Sequence, residues 1–211
     1  MNRICKVIPA LLLSVAVAGC AEPGGDGASA SRDAAPVIYI MRHTDKAASP
    51  ETRAAAPAGY DPAECEMRTG LSAAGAARAG AVAEALSDID FAASYSSAYC
   101  RTAHAAHIVS GLAPSTSLTD PDAGRAAFIA GMTEEARQAG GPILLVMHSN
   151  WIGALFSGDA PEIDAPSWAA PQCYGDVRAF RLDGERWVYA GGDHGAVTDR
   201  QYYECENGHT G

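Results

Sequence analysis

"VIYIMRHTDK", residues 37–46, decides how the chain is read. Val37 to Met41 are apolar or aromatic and rich in β-branched types, the pattern of a strand buried on both faces. Arg42 and His43 follow at once. In open α/β sheets, ligands sit outside the carboxyl ends of the strands. A cation and an imidazole ending a buried strand are therefore placed where such a fold keeps its chemistry.

Outward from this strand the chain alternates. Residues 47–70 read as a long loop with Pro50, Pro57, Gly59 and Pro62. Ser72 is placed to cap a helix running to about Leu86, in which Gly75, Ala79, Val82 and Leu86 recur at helical spacing. "FAASYSS", 91–97, reads as a second strand, and "RTAHAAHIVSGL", 101–112, as a helix stopping at Gly111. Residues 123–139 read as helical. "ILLVM", 143–147, is a third strand, followed by a short helix through "NWIGALF". "VRAFRL" and "RWVYA" flank Asp183-Gly184 as a hairpin. Strands alternating with helices, the strands fully apolar, indicate an α/β fold with a mostly parallel sheet.

The 211 residues suffice for one sizeable core, and 48% hydrophobic with 19% charged residues is a globular composition. The net charge of −10 argues against nucleic acid as a partner. An anionic ligand needs a local cationic pocket working against that overall field.

The N-terminus has another character. "MNRICK" carries Arg3 and Lys6, an apolar run follows from Val7 to Val17, and "VAGC" closes on Cys20. A basic segment, a short apolar segment and small residues form an export signal over residues 1–19, too short to span a bilayer. "VAGC" resembles a bacterial lipobox. That implies cleavage before Cys20, lipidation of its thiol, and a location at the periplasmic face of the outer membrane, with a soluble secreted or periplasmic form as the fallback. Two or more acyl chains give stable anchoring. Residues 20–35, rich in Gly, Ala and Ser, read as a flexible linker. The folded domain is expected over 36–211.

Three expected strands end in one kind of chemistry: Arg42-His43, then "SSAYCRT" with Arg101, then His148. Two arginines and two histidines at three strand ends make one cationic pocket.

These residues carry a resemblance. "VIYIMRHTDK", "LSAAGAARAGAVAEAL", "YSSAYCRTAHAAHI" and "ILLVMHSNWIGAL" are similar to the histidine phosphatase superfamily, the phosphoglycerate-mutase-like fold. The resemblance implies a three-layer sandwich around the mostly parallel sheet. Arg42-His43-Thr44 stands where the family has Arg-His-Gly, Arg101 at its second arginine and His148 at its second histidine. It implies a phosphomonoesterase in which His43 attacks phosphorus, forming a phosphohistidine that water then cleaves. Neighbouring cations favour the neutral, nucleophilic form of His43. Arg42 and Arg101 can each grip phosphate oxygens in a bidentate way. No metal or cofactor is called for, since fixed cations stabilise the transferring group.

A leaving alkoxide also needs a proton. Asp120 and Asp122 are the nearest carboxylates after the second helix, with Asp45 and Glu64 as further options, and a good leaving group needs none. His104 and His107, spaced i, i+3, could ligate zinc with nearby cysteines but read as surface histidines. Tyr99 and Trp151 could stack on a ligand, though such aromatics more often serve packing. Residues 202–211 read as a tail. The alternatives to the phosphatase are a non-catalytic anion-binding lipoprotein on the same fold and a phosphomutase. The expected partners are a small phosphorylated substrate and, through lipid, a membrane; no obligate protein partner is evident.

Of six cysteines, Cys5 leaves with the signal and Cys20 is assigned to lipid. Cys65, Cys100, Cys173 and Cys205 remain, an even number suited to disulfides in an exported domain. Sequence allows three pairings. Cys65–Cys100 with Cys173–Cys205 is expected from the placement of the loops.

Overall fold

A computed structural model describes residues 35–61, 65, 70–118, 121–157, 161–166, 169–171 and 173–191. The expected signal segment, the linker up to residue 34, Cys20, Glu64, Asp120, Cys205 and the 202–211 tail lie outside them.

The elements run β1 (Val37–Arg42), α1 (Ala73–Ala85), β2 (Ala93–Ser96), α2 (Cys100–Ser110), α3 (Pro121–Ala139), β3 (Ile143–Met147), α4 (Ser149–Phe156), β4 (Ile163–Asp164), β5 (Val177–Asp183) and β6 (Arg186–Gly191). The sheet order is β2-β3-β1-β5-β6-β4. The β2/β3, β3/β1 and β4/β6 pairs are parallel, while β1/β5 and β5/β6 are antiparallel. The sheet is thus mostly parallel, with the expected hairpin as its antiparallel part.

Two apolar layers make the sandwich. Along β1, side chains alternate faces, as a pleated strand requires. Ile38 and Ile40 join Phe128, Ile129 and Met132 of α3 and Ile152 and Leu155 of α4 on one side. Tyr39 and Met41 join Ala79 and Val82 of α1 and Ala105, Ala106 and Val109 of α2 on the other. Both strand faces are covered, which is why the strands are continuously apolar instead of alternating. Each large core side chain stabilises the fold by roughly 1.5–3 kcal/mol.

Three boundaries differ from the sequence reading. β2 covers Ala93–Ser96, shorter than 91–97, because Phe91 has turned to pack edge-on against Tyr39 at 5.4 Å. α3 spans Pro121–Ala139 but is broken at Gly124, whose backbone is extended (φ 172°), so a short helical turn opening on Pro121 precedes the main helix. The two-residue β4 is too short to carry a period-2 pattern.

Ser72 caps α1 as expected, its hydroxyl accepting from the Gly75 N–H at 3.0 Å. The same hydroxyl donates to the Asp45 carbonyl at 3.3 Å, tying α1 to the loop that leaves β1. Gly75 makes that contact possible: a Cβ there would stand 2.1 Å from the Asp45 carbonyl oxygen. The obstacle is backbone, which cannot rotate away. Gly75→Ala is therefore expected to destabilise the fold by about 1–3 kcal/mol, the range for overpacking. Urea denaturation reads this as a lower midpoint at unchanged slope; an unchanged midpoint would show that α1 does not press on this loop.

Candidate active site

The carboxyl ends of β2, β3 and β1 lie side by side, and the register decides what meets there. Arg42 pairs with Met147, and the His43 N–H donates to the Met147 carbonyl at 3.0 Å. The next residue of each strand end is a histidine. The rings of His43 and His148 consequently stand 5.1 Å apart. A cavity of about 360 Å³ opens at this edge, lined by Arg42, His43, Lys46, Tyr99, Arg101, His148, Ser149, Asn150, Trp151 and Tyr174. All four residues read from the sequence as one cationic pocket, Arg42, His43, Arg101 and His148, meet in it.

His43 is buried and its tautomer is fixed. Its Nδ1 lies 2.7 Å from the Thr44 carbonyl. A carbonyl can only accept, so Nδ1 carries the hydrogen and Nε2 keeps its lone pair. Burial pulls the pKa of His43 down to about 4, against the Thr44 hydrogen bond and with the positive fields of Arg101, Arg42 and Lys46. The imidazole is neutral at physiological pH, as a nucleophile must be.

His148 is the last residue before α4. Its Nε2 is 2.8 Å from the Ser97 hydroxyl, which is 2.7 Å from the Thr102 hydroxyl; that hydroxyl donates to the Tyr99 carbonyl at 2.7 Å. The chain joins the ends of β3, β2 and the first turn of α2. Its other nitrogen, Nδ1, is buried without a hydrogen-bond partner among the described residues. Burial and then the charges of His43, Arg101 and Arg42 bring its pKa down to about 3. A nearby anionic oxygen would favour the protonated, hydrogen-bond-donating form of the ring.

The arginines lie on tyrosines. Arg42 sits 4.3 Å over the ring of Tyr174, and Arg101 4.7 Å over that of Tyr99. Burial lowers the pKa of both guanidiniums. They start from a value high enough to remain charged. Tyr174 is 5.3 Å from His43, while Tyr99 and Trp151 are edge-on to His148 at 5.4 and 5.6 Å. Tyr99 and Trp151 thus line the cavity, the less common of the two readings open for them in the sequence.

Tyr174 and Lys46 had escaped the sequence reading. Tyr174 sits in a turn zipped to the end of β1: Gly175 N–H donates to the Arg42 carbonyl and Arg42 N–H to the Asp176 carbonyl, both at 3.1 Å. Gly175 has φ +78°, a backbone conformation side chains resist. Asp176 forms a buried ion pair with Arg178. A Tyr-Gly pair after two prolines looks like any turn, so only the β1/β5 pairing reveals its place.

The expected proton donors are not among the cavity's described lining. Asp45 is ion-paired with Arg78 at 2.8 Å. Asp122 lies in α3, its side chain outside the described residues. His104 also departs from expectation. It is buried, with Nε2 3.6 Å from the Cys65 sulfur, because α2 turns this face toward the 47–70 loop. His107 bonds to the Leu112 and Ala58 carbonyls. Cys65, Cys100 and His104 cluster, yet the two sulfurs are joined in a disulfide, 2.11 Å apart. Cys173 is disulfide-bonded as well.

The family model of the histidine phosphatase superfamily (branch 1) matches residues 38–124, which hold His43 and both arginines. That segment of the chain is similar to the superfamily. Solved structures agree on the fold. The protein histidine phosphatase SixA, complexed with tungstate, is 17% identical with TM-score 0.54, over 74% of this chain and 94% of its own. A mycobacterial hydrolase ("hydrolase 2") is 17% identical with TM-score 0.52, over 82% and 97%. A phosphoglycerate mutase from Bacillus anthracis is 16% identical with TM-score 0.51, over 77% and 95%. No curated protein matches the chain.

A depressed histidine pKa means that the neutral ring persists below pH 6.5 and is lost only as pH falls through the folded value. Phosphoryl transfer by the free enzyme, corrected for substrate ionisation, should therefore hold its kcat/KM from pH 7 to about 5. Its acid limb should fall near 4. A limb at 6.5 in the pH–rate profile would show that burial does not control His43.

Proposed function

We propose that this protein is an exported, lipid-anchored phosphomonoesterase acting through a phosphohistidine on His43. One observation carries the reading: a neutral imidazole whose Nε2 lone pair is free stands in a cavity with Arg42, Arg101 and Lys46. An anion-binding module needs the cations but not a nucleophile, so the arrangement favours the enzyme.

The cycle balances as follows. The phosphoryl oxygens are held by the guanidinium N–H groups. Nε2 of His43 attacks phosphorus in line, the N–P bond forms, and the P–O bond breaks with its electron pair on the leaving oxygen. Charge on the equatorial oxygens is met by Arg42, Arg101 and a His148 made donating by the anion. The leaving oxygen takes its proton from solvent water; a second water then attacks phosphorus and gives a proton back to solvent, the P–N bond breaks with its electron pair on Nε2, and His43 returns to neutral. Water as second acceptor makes this a hydrolase; a mutase must return the group to a sugar or acid product.

His43→Ala is expected to lower phosphatase activity by roughly 10³-fold or more, the scale of nucleophile removal, with circular dichroism unchanged. Alkaline quench of the native enzyme with labelled substrate should leave label on the peptide containing residue 43, and acid quench should release it. Near-native activity in the variant, or label on serine, would overturn the mechanism.

Export and anchoring belong to the same proposal and rest on the segment before residue 36. Cys20→Ala is expected to move the protein from the membrane pellet to the soluble fraction while the domain keeps its activity. If the variant still sediments and the native chain takes up no fatty acid, the anchor is wrong.

A further inference from the structure

The cavity is larger than its phosphoryl group. At about 30 Å³ for each displaced water, a phosphoryl group fills the place of roughly two or three. Most of the approximately 360 Å³ is left for what the phosphoryl group is attached to.

The remaining lining has a definite chemistry. Trp151, Tyr99 and Tyr174 are all half-buried and all line the cavity. They come from three places in the chain: the first turn of α4, the residue before α2, and the turn before β5. Each stands within 6 Å of a site histidine, at 5.6, 5.4 and 5.3 Å. The neutral polar groups, Ser149 and Asn150, are exposed. Lys46 is exposed as well and adds a third cation to the lining.

We propose that the cavity is built for phosphoryl groups carried directly on an aromatic ring, with Trp151, Tyr99 and Tyr174 forming the rim that receives the aryl leaving group. The proposal rests on the reading of the cavity as a phosphoryl-transfer site and adds the substrate class.

Two physical reasons favour an aromatic ring over a saturated one of equal size. Aromatic pairs gain about 0.5–1.5 kcal/mol beyond their area burial through offset or edge-to-face contact. A cation beside a ring is attracted to its π-face, and the exposed Lys46 of the lining supplies such a cation, whereas it offers nothing comparable to a saturated ring. The chemistry also suits. When Nε2 of His43 forms its bond to phosphorus, the aryl–oxygen bond to phosphorus breaks and the pair stays on an aryloxide. That ion is delocalised and takes its proton from water, so the step needs no carboxylate at the leaving oxygen.

The test separates ring recognition from leaving-group reactivity. Phenylphosphonate, cyclohexylphosphonate and methylphosphonate carry the same head group and cannot be hydrolysed. Their dissociation constants for the full chain in detergent are measured by titration calorimetry. Phenylphosphonate is expected to bind roughly three- to tenfold tighter than cyclohexylphosphonate, although the saturated ring is the more hydrophobic. Trp151→Leu should remove that ratio, and Trp151→Phe should keep most of it. Equal binding, or preference for the saturated ring, in the native protein overturns the proposal without any variant. Ring preference with no hydrolysis of any phosphomonoester would refute the phosphatase while leaving the rim; hydrolysis with no ring preference would do the reverse.

Discussion

Everything at this site depends on the register between β1 and β3. The two strands run parallel with Arg42 beside Met147, and the ladder continues one step further through the His43 N–H to the Met147 carbonyl. A slip of one residue would turn every β1 side chain to the opposite face. It would place Ile38 and Ile40 against α1 and α2, and it would separate the two histidines. The register is held because both faces of β1 are buried against different helices. Core packing therefore sets the 5.1 Å between the imidazoles, and mutual attraction of the two rings does not.

The second constraint is electrostatic. An acidic chain of net charge −10 places Arg42, Arg101 and Lys46 around one cavity. Removing cations from water is costly. Here the cost is lowered without placing carboxylates in the described lining. The guanidiniums lie on tyrosine faces, and the histidines stay neutral, which removes two further positive charges from the same space. A carboxylate beside either arginine would neutralise the field that an anionic ligand needs. An aromatic face supports the guanidinium and leaves its charge available. The long-range field and the local field thus oppose one another, and only the local one governs a bound anion, since exposed charges beyond about 8–10 Å are screened at ordinary ionic strength.

The legible part of this design was whatever could be written locally. The apolar runs of β1 and β3, the Ser72 cap and the stop at Gly111 are all set by neighbours within a few residues. Arg42, His43 and His148 sit directly at strand ends, so the rule that ligands gather there suffices to group them. What escaped depends on long-range pairing. Tyr174 reaches His43 because β5 runs antiparallel to β1, and the sequence does not announce that neighbour. Ser97 and Thr102 look like unremarkable small polar residues until β2 is laid beside β3 and the Ser97 hydroxyl meets His148. His104 reads as a surface histidine because no second ligand pair has a recognisable spacing; its burial comes with Tyr60 and Cys65 beside it, neighbours that helical periodicity cannot foresee.

The two flanks of the cavity share one more property. Tyr99 and Arg101 bracket Cys100, which is bonded to Cys65. Tyr174 follows Cys173, itself disulfide-bonded. Each arginine–tyrosine stack is therefore adjacent in sequence to a covalent tie. Stabilising a transferring phosphoryl group depends on cations already in place, because a group that must reorganise loses much of the benefit at the moment of reaction. Arg42 needs no such tie of its own, since it ends a central strand hydrogen-bonded on both sides. Arg101 stands in the first turn of a helix, a position prone to fraying, and the platform under Arg42 stands in a turn. The covalent links thus fall beside the parts of the site that the sheet does not itself hold.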